Sequence, residues 1–134
     1  MIDIENELFT KIATALRTQF SGIYVTSEYV PAPPSMPCAM IVEQDNMTYR
    51  DSQTSTEVEN HATIMYEVDV FSNKASGRKS EAKAIMAVID GIMMNLNFDR
   101  IFLNPLPNMH DATIYRLTAR YIAVVSKDKV IYRR

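Results

Sequence analysis

The chain is 134 residues long, 47% apolar and 22% charged, with a net charge of −2. That length fits one domain, and a domain of this size buries roughly two-thirds of its unfolded surface, enough to fold without covalent staples. The lone cysteine, Cys38, excludes an intramolecular disulfide and a cysteine-cluster zinc site; no apolar run nears the ~20 residues of a membrane helix, and the mild acidity argues against a dedicated duplex-DNA binder.

A single cysteine also fits a reducing compartment. The acidic start, MIDIENELF, lacks a charged-then-apolar leader, so a cleaved signal peptide is not expected. Nine methionines and no tryptophan give soft apolar surfaces, read first as gap-fillers in a core.

Residues 3–20 read as a helix. Ile4, Leu8, Ile12, Ala15, Leu16 and Phe20 recur at spacings of three and four and form one apolar stripe. Asp3 is a plausible N-cap, with Glu5 and Glu7 in the favourable first turn. Gly22 ends the helix, and Ile23, Tyr24 and Val25 read as a short strand. Residues 31–37, PAPPSMP, can be neither helix nor central strand and read as an extended surface connection.

Residues 38–47, CAMIVEQDNM, read as a strand. Residues 48–57, TYRDSQTSTE, hold no aliphatic side chain and are rich in Ser, Thr and Asp. They read as a polar arm longer than an ordinary hairpin connection, and such loops in compact domains are commonly functional or unordered. The clearest strand is 59–71. Ala62, Ile64, Tyr66, Val68 and Val70 share one face; Thr63, Met65, Glu67, Asp69 and Phe71 share the other. That alternation describes a sheet packed on one side and largely open on the other.

After a turn at 72–78, SNKASGR, a second helix runs to about Leu96. Ala82, Ile85, Ile89, Ile92 and Leu96 form its stripe, widened by Met86 and Met93. Residues 98–107 read as a short strand that Pro105 and Pro107 confine to an edge. Residues 112–126 read as a long strand with Tyr115, Leu117, Ala119, Tyr121, Ala123 and Val125 on one face and Arg116, Thr118 and Arg120 on the other. A turn at Lys127-Asp128 and a last strand over 129–133 complete a hairpin. The order is α-β-β-β-α-β-β-β. It predicts a single α+β domain over 1–134, a mainly antiparallel sheet with both helices on one face and a polar arm at about 48–58.

No nucleophile elbow, zinc-protease helix, phosphate loop or dinucleotide fingerprint occurs. A metal nuclease can be sketched from Asp45, Glu67 and Asp69 with His61, but two carboxylates on an open strand face are by default a solvated pair. His61 stands at a strand entrance, where a surface or capping role is commoner than catalysis. Cys38 heads an apolar strand and reads as a buried, inert thiol. Basic groups cluster as Arg116 with Arg120, as Lys74, Arg78, Lys79 and Lys83 around the start of the second helix, and as Arg133 with Arg134. Each could touch phosphate. Cross-strand pairing of Arg116 and Arg120 with Glu67, Asp69 or Glu43, or ion pairs to a neighbouring subunit, is favoured.

The run MYEVDVFSNKASGRKSEAKAIMAVIDGIM, the strand ending NPLPN and the segment ATIYRLTARYIAVVSKD together resemble a group of phage and prophage proteins of Gram-positive hosts. These are described as minor capsid, tail-completion, tail-to-head joining or tail-terminator proteins. The resemblance spans nearly the whole chain but rests on extended pattern, not on a catalytic motif, so it transfers no site residue. It implies a virion structural protein, not an enzyme, with no cofactor or metal. It implies a homo-hexameric ring that caps the tail tube, stops its growth and presents a surface to the neck. The partners would be other copies of the chain, the tail tube protein and the neck or connector protein, with no membrane. Localisation would be the virion tail or neck, and the host cytoplasm during assembly.

A heterologous interface that closes into a ring needs two different surfaces. The candidates here are the arm, with Tyr49, Arg50, Asp51 and Glu57, and the open sheet face, with Glu67, Asp69, Arg116 and Arg120. Six copies at −2 would carry about −12, compatible with DNA passing through without specific binding. The alternative is a neck or head-completion connector of similar fold, or the same component in a headless tail-like particle. The remote alternative is an enzyme or nucleic-acid-binding module with an unfamiliar site.

Overall fold

A computed structural model describes residues 1–49, 60–107 and 111–133. Helix α1 spans Glu5–Gln19 and buries Leu8, Ile12, Ala13 and Leu16. The N-cap is Ile4, which makes no side-chain cap; Asp3, expected in that role, lies one residue further out, where its Oδ1 accepts the Glu5 N–H at 2.9 Å. The helix therefore starts two residues later than the 3–20 expected. At its far end the Phe20 N–H donates to the Leu16 carbonyl at 2.8 Å. Gly22 then turns the chain with φ +78°, a conformation that glycine adopts without steric cost.

Six strands and a second helix follow: β1 (Tyr24–Thr26), β2 (Cys38–Thr48), β3 (His61–Ser72), α2 (Arg78–Asn95), β4 (Asp99–Leu106), β5 (Tyr115–Ser126) and β6 (Ile131–Tyr132). The element order is the α-β-β-β-α-β-β-β of the sequence, and the fold is α+β. The strands lie in the order β1-β2-β3-β5-β4, with β6 also pairing with β5. Neighbours are antiparallel except β1 and β2, which run parallel with Tyr24 opposite Cys38. Residues 27–37 carry the chain back between them, so the proline-rich segment is a return connection.

The sheet buries the face that its alternation marks. Ala62, Ile64, Tyr66, Val68 and Val70 of β3 stand opposite Val125, Ala123, Tyr121, Ala119 and Leu117 of β5. All ten share one core with Ala39 and Ile41 of β2, with α1, and with Ala82, Ile85, Met86, Ile89 and Met93 of α2. Each fully buried Ile, Leu or Met side chain stabilises the fold by roughly 1.5–3 kcal/mol. Phe98 closes the core beside α2, edge-on to Tyr66 at 6.0 Å between ring centroids.

Two local features depart from simple alternation. The β2–β3 register shifts between Glu43 and Asp45. The extra residue, Gln44, places Glu43 opposite the inward-facing Tyr66 and Asp45 opposite the outward-facing Met65. At the other end, β5 begins at Tyr115, not 112. There the Thr113 N–H and Oγ1 donate to Asp111 Oδ1 at 2.9 and 2.6 Å, and the Ile114 N–H donates to the Asp111 carbonyl. That local turn holds residues that a strand would need. β4 lies at the sheet edge, the position that its internal Pro105 permits.

Candidate interaction surface

The face of the sheet away from the helices is built in cross-strand rows. Cys38, Phe71, Arg116 and Leu106 form the first, Met40, Asp69, Thr118 and Asn104 the next, and Val42, Glu67, Arg120 and Phe102 the third. The two polar rows neutralise themselves. Arg116 Nε donates to Asp69 Oδ1 at 2.9 Å, and Arg116 Nη2 stands at 2.9 Å from the same oxygen. The Thr118 hydroxyl donates to it as well. Arg120 Nε donates to Glu67 Oε1 at 3.2 Å. Aromatic rings back both cations: Phe71 lies 5.4 Å from the Arg116 guanidinium carbon and Phe102 lies 5.7 Å from that of Arg120. Such contacts are worth about 0.5–1 kcal/mol where water reaches them.

These four residues are thus brought together as cross-strand ion pairs, the arrangement favoured from the alternation. Their exposure differs. Asp69 is 5% exposed and offers almost no surface of its own, whereas Arg120 and Glu67 remain partly open. Cys38 is buried at the start of β2; burial first, and the Asp69 carboxylate second, push its thiol up to about 12.

The second half of the face is mixed, with apolar side chains in the middle and Asp45 and Asp99 at the two ends of the row through Met65 and Ile122. Met65 stands opposite Ile122, Met47 opposite Thr63, and Val124 between Thr63 and Tyr132. Met47 and Tyr132 are about half exposed. The His61 ring sits between Tyr49, edge-on at 6.4 Å, and Tyr132, tilted at 5.8 Å. The Tyr49 N–H donates to the His61 carbonyl at 2.8 Å, so the ladder continues to the last residue described before the arm. Arg50, Asp51 and Glu57 lie outside the described residues. The ring cluster was not foreseen; its one signal is that Tyr49, His61 and Tyr132 all fall at strand ends.

The metal-nuclease sketch does not assemble. Glu67 and Asp69 are held by arginines, and Asp45 Oδ1 accepts the Asn46 N–H. Six residues separate His61 from Glu67 on β3, roughly 20 Å of strand. Among the described residues no group of three or more His, Cys, Asp or Glu side chains converges on a metal position. An apolar hollow of about 260 Å³ lies between α1, the end of α2 and β6, lined by Ile4, Leu8, Leu96 and Ile131. Two other hollows, one lined by Pro105, Leu106, Ile114 and Arg116 and one by Met1, Asp3, Glu7 and Lys127, are larger, about 430 and 420 Å³.

On the helix side, Asn46 Nδ2 donates to the Ile2 carbonyl at 2.8 Å and ties the start of α1 to β2. Glu43 beside it is held above the ordinary glutamate value, foremost by burial; a hydrogen bond from Asn46 opposes this, and Asp3 and Glu5 reinforce it. The Tyr121 hydroxyl donates to Asp90 Oδ1 at 2.8 Å, and Arg100 pairs with the same oxygen at 3.1 Å. The Tyr66 hydroxyl is buried and has no hydrogen-bond partner among the described residues. No helix of the described residues is long and apolar enough to cross a membrane. Neither a scan of protein-family models nor a search of curated proteins finds a match for this chain.

Proposed function

We propose that the chain is a structural protein of a bacteriophage tail or tail-like particle. In this reading it forms a ring at the head-proximal end of the tail tube, ends tube growth and joins the tail to the neck. The observation that carries the reading is the α-β-β-β-α-β-β-β domain with a β2–β3 hairpin of strands eleven and twelve residues long leading to the polar arm. That layout agrees with what the resemblance implies. The sheet face also supports it. Carboxylates and guanidiniums that pair with one another make a preformed, nearly neutral surface, suited to repeated contacts between subunits and poorly suited to proton transfer.

In this reading the outer face with Glu67, Arg120, Met47 and Tyr132 meets a neighbouring copy or the tube, and DNA passes the opening without specific binding. The test is assembly of the pure protein, by native mass measurement and sedimentation, together with co-pelleting on purified tail tubes. A closed oligomer that binds tube ends is the expected result. A strict monomer that leaves tubes unbound would overturn the reading.

A further inference from the structure

Two further groups of charge lie outside the sheet face, one basic and one mainly acidic. Lys74, Arg78, Lys79 and Lys83 are all exposed around the turn from β3 into α2, and among the described residues none has an ion pair. The nearest acid in sequence, Glu81, is taken by the Ser72 hydroxyl at 2.6 Å. The start of α1 is the opposite. Asn46 Nδ2 donates both to the Ile2 carbonyl at 2.8 Å and to Glu43 Oε1 at 3.4 Å, which places Glu43 beside the start of α1 with Asp3 and Glu5; burial first, and those two carboxylates after it, hold Glu43 above the ordinary glutamate value. Among the described residues none of the three has an ion pair, while Glu7 is paired with Lys129 and Lys127 is exposed nearby.

Beneath these carboxylates lies the Tyr66 hydroxyl, fully buried and unpartnered, and its phenol feels Glu43, Glu5, Asp3 and Glu7. Met1, Lys127 and Lys129 share a hollow with Asp3 and Glu7 on one side of the cluster. Tyr66 stands six residues before Ser72 on β3, roughly 20 Å of strand, and the cations lie beyond Ser72. The Debye length at physiological salt is about 8 Å, so the two patches of one molecule do not neutralise each other.

We propose that the two patches are the halves of one contact between copies: the basic β3–α2 turn of one copy seats on the carboxylates at the α1 start of the next. The inference rests on the reading of the chain as a self-assembling subunit and names the surfaces that meet. The contact is heterologous, because the two patches differ, so it repeats from copy to copy and closes when the rotation allows. Charge complementarity of this kind fixes register and speeds association more than it adds affinity. A polyanion would also be drawn to the turn, but it leaves the carboxylates at the α1 start without a partner.

The test is sedimentation velocity on the full chain with paired charge changes. One variant carries Lys79→Glu and Lys83→Glu; the other carries Glu5→Lys and Glu43→Gln. Circular dichroism checks that each is folded. Each variant alone should assemble at least about tenfold more weakly than the wild type, and an equimolar mixture should recover to within about threefold. The wild type should itself weaken about tenfold or more between about 50 and 500 mM salt, a measurement that needs no variant to fold. Assembly indifferent to both salt and charge reversal would overturn this contact and leave the ring reading standing. A monomeric wild type would overturn both. Loss of binding to a duplex DNA probe in the lysine variant, with assembly unchanged, would assign the turn to nucleic acid and overturn the contact.

Discussion

Replacing Arg116 by methionine tests the self-neutralised sheet face most sharply. The change removes the only cation that pairs with Asp69 among the described residues; the Asp69 side chain is 6% exposed and that of Arg116 28%. The stranded carboxylate keeps one hydrogen bond, from Thr118. Breaking a buried pair by removing one partner costs about 3–5 kcal/mol; the water that already reaches Arg116 lowers this to about 2–4 kcal/mol. For a chain of 134 residues 1 kcal/mol shifts the melting temperature by about 3–4 °C, so Arg116→Met should melt about 7–14 °C lower. Asp69→Asn should cost only about 1–2 kcal/mol, because a released guanidinium turns to water whereas a buried carboxylate cannot. The double variant Asp69→Val with Arg116→Met leaves the buried Thr118 hydroxyl without its acceptor and should cost about 1–3 kcal/mol, less than the sum of the singles. Urea titration of the set, with unchanged m-values, gives the comparison. If Asp69→Asn costs as much as Arg116→Met, or the double variant is the sum of the singles, the pair is not the buried, mutually dependent unit described.

Three further outcomes follow from single side chains. Tyr66 and Tyr121 are cross-strand partners with opposite hydroxyl environments. Tyr121→Phe should destabilise by about 1–2 kcal/mol and Tyr66→Phe should be neutral or stabilising by up to about 1 kcal/mol in urea melts; the reverse order would contradict the structure. Cys38, buried and pushed up to about 12, should react with Ellman's reagent at slightly alkaline pH only on unfolding, and rapid labelling of the native protein would refute its burial. Glu43 is held above the ordinary glutamate value, so the folded state binds its proton more tightly and this group withdraws stability as pH rises. Glu43→Gln should therefore match the wild type near pH 4 and exceed it near pH 7. A larger loss at neutral pH than at acid pH would reverse the sign and reject the cause.

The core was legible because burial leaves a period in the sequence. The inward set Ala62 to Val70 and the α2 stripe through Ala82, Ile85 and Ile89 follow the periods of two and of three to four. The ion pairs of the open face were legible for the same reason: Glu67, Asp69, Arg116 and Arg120 fall on outward positions of long strands, and opposite charges across a ladder attract. What pattern does not encode is which strand lies beside which. The place of β5 between β3 and β4, and the parallel β1, depend on how the α1 and α2 packing and the return through 27–37 close the core. The bulge at Gln44 was equally silent, since one extra polar residue in a polar stretch leaves no mark on the period. Nor does alternation measure depth: Asp69 sits on the open face and is still covered, because Phe71, Arg116 and Thr118 close over it. The outward positions follow from alternation, but Cys38, Met40, Asp69, Thr118 and Ile122 on that face are buried, and the part each residue takes needed the neighbours.

The central claim is that this protein ends and joins a phage tail. Electron microscopy of lysates from a phage that lacks it tests that claim most directly. The account predicts abnormally long tail tubes, or finished heads and tails that fail to join, both restored when the protein is supplied in trans. Normal particles with tails of ordinary length, joined to their heads, would contradict it.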